Sequence, residues 1–261
     1  MKKILFTGAR SGIAASVIDE IINKNYYIYL TVHTDKQLDI VKRKYDKFSN
    51  VECLKIDVTN AKDREILEEL DIDILVSNAA IGEGGSMAEI PISKVRKNFE
   101  VNVFSYFEII QIVLKGMIRK DKGKIINMAS LAGIVPLPFL GSYCATKASI
   151  IKMTQCLKKE LDMLGSNVKV CLIEPGIYHT GFNQVMLNNK YDWMNIDSYF
   201  KYHIDLIKKK ENFIFDKLEK HELKSIVKKI VKAIKCKNPD FIYRAPCTQV
   251  VMAKLYMLFK E

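Results

Sequence analysis

No C-x-x-C pair occurs among the six cysteines (Cys53, Cys144, Cys156, Cys171, Cys236 and Cys247), and the four histidines, His33, His179, His203 and His221, are scattered without ligand spacing. Zinc-finger and disulfide-scaffold readings fall away, and no metal site is expected. No uninterrupted apolar stretch reaches the roughly 18–20 residues that a bilayer span requires. A transmembrane protein is therefore excluded, though a surface-bound one is not. Met1-Lys2-Lys3-Ile4-Leu5-Phe6 runs straight into a strand-like segment with no signal peptide before it, so reduced thiols in a cytoplasm are the expectation. Internal repeats and low-complexity linkers are missing too, which leaves a domain boundary nothing to rest on.

Acidic residues are the scarcer charge. Asp and Glu number 30 against 41 Lys and Arg, a net +11 over 261 residues. Such a balance first suggests a polyanionic partner. Residues 200–261, however, hold 15 Lys and Arg against 7 Asp and Glu, so +8 of the charge belongs to the last quarter. No nucleic-acid module is recognisable, and aromatic residues are not interleaved with the basic runs as stacking platforms would require. No nucleic-acid partner is expected.

What is present is alternation. Short runs rich in Ile, Val and Leu (3–7, 27–32, 51–56, 72–77, 123–129, 168–173 and 240–243) are separated by helix-patterned stretches near 12–24, 35–47, 60–70, 93–119, 142–164 and 221–236. Strands buried on both faces read as continuous apolar runs, so this pattern predicts an α/β, doubly wound Rossmann-type fold. Its sheet should be mostly parallel and seven-stranded, with helices on both faces. One domain over 1–245 is expected, with an irregular stretch at 175–220 of the kind that forms lids or partner surfaces, and a basic, apolar tail at 246–261. Ligands on such sheets bind beyond the carboxyl ends of the strands.

Two of those ends carry chemistry. The first strand runs into Thr7-Gly8-Ala9-Arg10-Ser11-Gly12-Ile13-Ala14 and then a helix, a context in which glycines and helix N–H groups receive a phosphate. A structural tight turn would also explain the glycines. The fifth strand ends at Ser130, and Tyr143-Cys144-Ala145-Thr146-Lys147 opens a helix soon after. Spacing of four puts Tyr143 and Lys147 on one helical face, where an ammonium favours the phenolate. With Ser130 able to bond a carbonyl oxygen, the trio suits carbonyl reduction or alcohol oxidation. Cys144 is read as a packing residue in preference to a redox switch.

These residues, together with Asp57-Val58, Asn78-Ala79-Ala80, Asn102 and Pro175-Gly176-Ile177-Tyr178-His179-Thr180, give a chain that resembles the short-chain dehydrogenase/reductase family over about residues 1–245. The resemblance implies an NAD(P)-dependent oxidoreductase with Tyr143 as general acid/base. Lys147 would lower its pKa and hold the nicotinamide ribose, Ser130 would stabilise the substrate oxygen, and Asn102 would hold a helix bend and a water. Gly8, Arg10, Ser11, Gly12 and Ile13 would form the phosphate turn. Asp57 and Val58 would meet the adenine, and Asn78, Ala79 and Ala80 the adenosine ribose. Pro175, Gly176, Ile177 and Thr180 would line the nicotinamide. Ala14 departs from the family's third glycine, a packing position.

An NAD-selecting acid would stand at Val32. Its absence, with Arg10, His33, Thr34 and Lys36 close by, predicts NADP(H) as the preferred cofactor; NAD(H) is the alternative if Asp35 swings back. Substrate identity is open beyond a small-molecule carbonyl or alcohol. Trp193, Met186, Met194, Tyr191 and Tyr199 fit either a lid over an apolar substrate or simple loop packing. The tail, with its apolar residues at helical spacing, could seat the enzyme on an anionic membrane as a peripheral contact, or pack in a homo-dimer or homo-tetramer. A non-catalytic dinucleotide sensor is the remaining alternative, disfavoured by the intact Asn102, Ser130, Tyr143 and Lys147 set.

Overall fold

The computed structural model describes residues 1–259. Seven strands form one sheet in the order β3-β2-β1-β4-β5-β6-β7, every neighbouring pair parallel. They are β1 Lys2–Phe6, β2 Tyr26–Val32, β3 Val51–Lys55, β4 Ile74–Ser77, β5 Lys124–Met128, β6 Lys169–Pro175 and β7 Ile242–Ala245. The seven-stranded parallel sheet expected from the apolar runs is therefore present, with strand ends moved by one or two residues. Strand order reverses beside β1, which pairs with β2 on one side and β4 on the other. A crevice at that reversal is where doubly wound sheets take ligands.

Alternation explains why continuous apolar runs make these strands. Ile4 and Phe6 of β1 face one core, with Ile28 and Leu30 of β2, while Leu5 and Tyr29 face the other. Successive side chains of a strand point to opposite faces, so a doubly covered sheet needs apolar residues at every position. The first core is closed by α1 (Gly12–Ile21), α2 (Asp35–Tyr45) and α10 (Lys224–Lys235). The second is closed by α3 (Ala61–Glu69), α5 (Ser105–Arg119) and α6 (Gly141–Met163). Ile226, Ile230 and Ile234 of α10 are buried, while Lys224, Lys228, Lys229, Lys232 and Lys235 are exposed. Five of the fifteen basic residues of the last quarter thus lie on the solvated side of one amphipathic helix. Lys124 of β5 reaches that helix's far end, where its Nζ donates to the carbonyls of Ala233, Ile234 and Cys236 at 2.6, 2.8 and 2.6 Å. A cation on unpaired C-terminal carbonyls is the favourable sense of the helix dipole.

One expectation is corrected, that residues 175–220 are irregular, and two further segments are helical as their apolar spacing suggests. Residues 92–119 are one helical run, α4 (Ile92–Phe99) and α5 joined by a π-helical segment, and it is long and apolar enough to cross a bilayer. Its Ile109, Val113 and Met117 instead fill the second core, which is what the helix's apolarity serves. The region expected to be irregular is mostly helical: α7 (Phe182–Asn189), α8 (Tyr191–Met194) and α9 (Ile204–Leu218). The tail forms α11, Cys247–Leu258, with Val251, Leu255 and Leu258 exposed. The last two positions of the expected tail lie outside the described residues.

Candidate active site

Each strand end delivers one part of the site. After β1 the chain turns through Gly8 and Gly12, both at positive φ (+64° and +67°). A Cβ on Gly8 would lie 2.7 Å from Ala79 Cα, and one on Gly12 would lie 3.1 Å from Thr180 Cβ. A side chain at position 8 would strike backbone and one at position 12 would meet a tight contact, so close approach adds to conformation in favouring glycine at both. Ser11 stands at the N-cap of α1 with no side-chain capping bond, which leaves the first N–H groups of the helix open. That open, side-chain-free end fits a dinucleotide pyrophosphate.

Thr7 joins this turn to the loop after β4. Its Oγ1 accepts from Asn78 N at 2.9 Å and Ala79 N at 3.0 Å, and Asn78 Nδ2 donates back to the carbonyls of Thr7 and Gly8. Asp57 is held by Thr59, whose N and Oγ1 donate to its Oδ1 at 3.0 and 2.8 Å. The Val58 carbonyl accepts from the buried Arg64 at 2.6 Å. Gly8, Arg10, Ser11, Gly12, Ile13, Asp57, Val58, Asn78, Ala79 and Ala80 all line a single cavity of 1680 Å³, as do Pro175, Gly176, Ile177 and Thr180. Val32 and His33 line it as well, with His33 Nδ1 3.3 Å from Gln37 Oε1. Thr34 does not. Its hydroxyl accepts from Gln37 N and caps α2, so the expected cofactor contact is replaced by a helix cap. Asp35 is off the cavity wall and pairs with Lys55 at 3.2 Å.

The reacting end lies where β5 meets α6. Ser130 Oγ accepts from Ala132 N at 3.1 Å and donates to the Pro175 carbonyl at 3.3 Å. Tyr143 and Lys147 are buried one helical turn apart, and both line the cavity with Ser130. Lys147 Nζ is 5.7 Å from the Tyr143 ring centroid and bonds the Met128 carbonyl. Burial pushes the Tyr143 hydroxyl well above the ordinary tyrosine value, with Ser130 pulling in the opposite direction. The same burial lowers Lys147 to about 8. Spacing alone suggests a tyrosine pulled down by its lysine; in the folded chain desolvation dominates both groups, and what opposes it at Tyr143 is the Ser130 hydrogen bond.

Asn102 sits in the π-helical segment Glu100–Phe104. Its Oδ1 accepts from Ile81 N at 2.9 Å, and its Nδ2 donates to the Ile81 carbonyl at 2.9 Å and to Thr146 Oγ1 at 3.1 Å. The extra residue of a π turn re-aims a side chain, here across to the loop after β4 and to α6. Cys144 is buried with Leu140, Tyr143 and Met186, a packing environment. Ala14 is buried in the first core.

Helices α7 and α8 rest on Gly82 and Gly85. A Cβ on Gly82 would strike Met186 at 2.4 Å, and one on Gly85 would strike the Trp193 ring at 2.3 Å. Tyr191 donates to Glu211 at 2.5 Å and Met194 is fully buried, whereas Tyr199 is exposed. Gln249 of α11 has no signal in the sequence, yet its Oε1 accepts from Ile177 N at 2.7 Å and supports the loop after β6. The histidines are not all scattered. His179 and His221 lie with ring centroids 4.9 Å apart, beside Glu219.

A parallel sheet with an uncapped glycine turn at its switch point, and a half-buried serine with a buried tyrosine and lysine on the same cavity, has the parts of a dinucleotide-dependent oxidoreductase. The profile of the family described as short chain dehydrogenase matches residues 2–190. A probable short-chain type dehydrogenase/reductase VdlC of Helicobacter pylori is 32% identical over 192 residues, 71% of this chain and 68% of the relative. A 3-ketodihydrosphingosine reductase of Bacteroides thetaiotaomicron is 28% identical over 260 residues, covering 96% and 90% of the two chains. Among solved structures, a short chain dehydrogenase/reductase from Burkholderia phymatum in complex with NAD shares the fold at a TM-score of 0.82 and 20% identity, covering 98% of this chain and 93% of that one. The chain belongs to the short-chain dehydrogenase family and is an NAD(P)-dependent oxidoreductase.

Proposed function

We propose that the protein reduces a ketone carried on a long apolar chain to a secondary alcohol, using NADPH. One observation carries this reading: the cavity lined by Tyr143 is lined also by Leu206 and Ile214 of α9 and by Met252 and Tyr256 of α11, which we read as an apolar limb. At 1680 Å³, above the roughly 300–1,000 Å³ usual for a single ligand, it must house the dinucleotide as well as the substrate. All four limb residues are also partly open to solvent, so an apolar chain can enter from outside and run inward to the reacting end. The Bacteroides relative lends support, since 3-ketodihydrosphingosine is itself a ketone on a long hydrocarbon chain.

NADPH supplies the hydride when bound. Ser130 holds the substrate oxygen by hydrogen bond, and Tyr143 gives that oxygen its proton as negative charge develops there. At neutral pH the Tyr143 hydroxyl is protonated, as an ordinary tyrosine is, and burial, which raises its pKa, keeps the proton there until the developing charge on the substrate oxygen draws it off. Lys147, fixed on the Met128 carbonyl, places its ammonium beside the ring. Asn102 ties the bend of the long helix to Ile81 and to α6, so the helix bearing Tyr143 and Lys147 keeps its place. The NADPH preference is supported by Arg10 and His33 on the cavity wall, by apolar Val32 where an acid would reject a 2′-phosphate, and by Asp35 engaged with Lys55.

Following nicotinamide absorbance over a series of 3-keto compounds of increasing chain length, with each reduced cofactor, tests the reading. NADPH-dependent turnover that strengthens with chain length is expected. Turnover confined to small polar ketones, or an NADH preference, counts against it.

A further inference from the structure

Residues 177–179 and 219–221 enclose the lid: the chain leaves β6 through the first stretch, passes through α7, α8 and α9, and returns through the second toward α10. The two stretches pair as a short parallel bridge, Tyr178 opposite Lys220. His179 N donates to the Lys220 carbonyl and Lys220 N to the Ile177 carbonyl, each at 3.0 Å. Side chains alternate along extended backbone. Tyr178 turns inward, buried, with its hydroxyl 2.7 Å from Ser225 Oγ. His179, Glu219 and His221 gather on the other side, and their ligand atoms all lie within 4.8 Å of one another.

The carboxylate is already oriented. Gln184 Nε2 donates to Glu219 Oε1 at 2.7 Å, while Glu219 Oε2 faces His179 Nδ1 at 2.9 Å. An amide that fixes one oxygen and leaves the other toward a second ligand does what an outer-shell group does in a metal site. The Glu219 side chain is 9% exposed and that of His179 51%. An ion can therefore arrive from solvent onto a carboxylate that is held in place. An ion pair accounts for His179 and Glu219, and His221 joins them only by a ring contact with His179, centroids 4.9 Å apart, which leaves its ring nitrogens within reach of the same ion.

We propose that His179, Glu219 and His221 bind one zinc ion, with solvent in the fourth position. Two imidazoles and a carboxylate suit zinc; magnesium and calcium call for oxygen ligands throughout. Zinc bonds of about 2.0–2.2 Å place tetrahedral ligand atoms about 3.3 Å apart, a contraction that rotation of the exposed imidazoles supplies without backbone movement. His179 adjoins Thr180, and Glu219 adjoins Leu218, both on the cavity wall. An ion there ties the loop after β6 to the end of α9 and clamps the base of the lid. Zinc would then stabilise the native chain by mass action, because the unfolded chain does not hold the three ligands together.

The test uses full-length, tag-free protein stripped with chelator and titrated with zinc chloride in a calorimeter, then with cobalt(II) followed by visible absorption. One ion per chain, a tetrahedral cobalt spectrum and a melting temperature that rises with zinc are expected. His221→Ala and Glu219→Gln should each weaken zinc binding by at least the roughly 10–100-fold that loss of an outer-shell partner causes, and Gln184→Ala by about that factor. His221 is exposed, so its variant should fold, and far-ultraviolet circular dichroism together with NADPH binding checks this. Uptake that is equal in wild type and His221→Ala, or absent in the wild type, overturns the proposal.

Discussion

Lys147 Nζ donates a 2.9 Å hydrogen bond to the carbonyl oxygen of Met128, fastening the first half of α6 to the last residue of β5. The bond holds an ammonium in a place where burial lowers its pKa to about 8. Unfolded, the lysine titrates at its ordinary 10.5. Between the two values the unfolded chain binds more protons, so stability rises with pH across that window; below 8 the full desolvation cost stands. Denaturation of the cofactor-free wild type and of Lys147→Met, measured from pH 7 to 9.5, should show the difference between them moving in favour of the wild type by about 2 kcal/mol. A difference that stays flat over that range means the ammonium is not desolvated.

Tyr143 is the residue on which the proposed proton transfer depends. Phenylalanine in its place keeps the ring, which packs with Leu140, Cys144 and Met186, and removes only the hydroxyl. Tyr143→Phe should lower kcat by about 10²–10⁴, the range general acid catalysis contributes. Melting temperature and NADPH affinity should stay close to those of the wild type. Full retention of turnover would remove Tyr143 from the mechanism.

Gly8 and Gly165 provide a controlled pair. Both have positive φ, +64° and +68°, but an added methyl meets Ala79 at 2.7 Å in the first case and open space in the second. Gly165→Ala should cost about 1 kcal/mol of backbone strain and leave cofactor binding unchanged. Gly8→Ala carries the same strain plus a backbone clash at the phosphate turn, so it should lose more stability and at least ~10-fold in cofactor affinity. Fluorescence titration with NADPH, paired with thermal melts, separates the two effects.

The contrast between local and distant signals explains what was legible in the sequence. The strands could be read because both faces are covered, so that Ile4, Leu5 and Phe6 are all buried. The glycine turn and the Tyr143–Lys147 spacing are contained within a few residues, and local geometry fixes their neighbours. Gln249 supports Ile177 across 72 positions, and His179 meets His221 only because residues 178 and 220 pair. No local pattern records such contacts. Helix α9 was obscured for another reason: Leu206, Phe213 and Ile214 are exposed apolar residues, so the division into an apolar and a polar face that marks a helix in sequence is blurred.

Arg10 is exposed, makes no ion pair among the described residues, and borders the cavity beside Val32 and His33. A 2′-phosphate there would gain a charge-assisted hydrogen bond worth about 1.5–3 kcal/mol. Arg10→Ala should therefore raise KM for NADPH by about 10–100-fold while leaving KM for NADH nearly unchanged. Equal loss with the two cofactors would place Arg10 on the pyrophosphate instead, and would detach the cofactor preference from this residue.

The apolar limb of the cavity makes a claim about chain length that a single side chain can test. Ile214 borders the limb from α9 and is 46% exposed, so a polar replacement is tolerated by the fold and felt mainly by whatever enters. An alkyl chain lying against it loses roughly 0.8 kcal/mol for each methylene that is no longer removed from water. If Ile214→Glu takes away contact with two methylenes, kcat/KM for a long-chain ketone should fall about 15-fold. A ketone too short to reach α9 should be reduced at the wild-type rate. Measured in the same preparation with NADPH saturating, the ratio of the two activities isolates the limb from the reacting end. Parallel loss with both substrates would mean that Ile214 acts on the lid as a whole, and the long-chain reading would lose its physical basis.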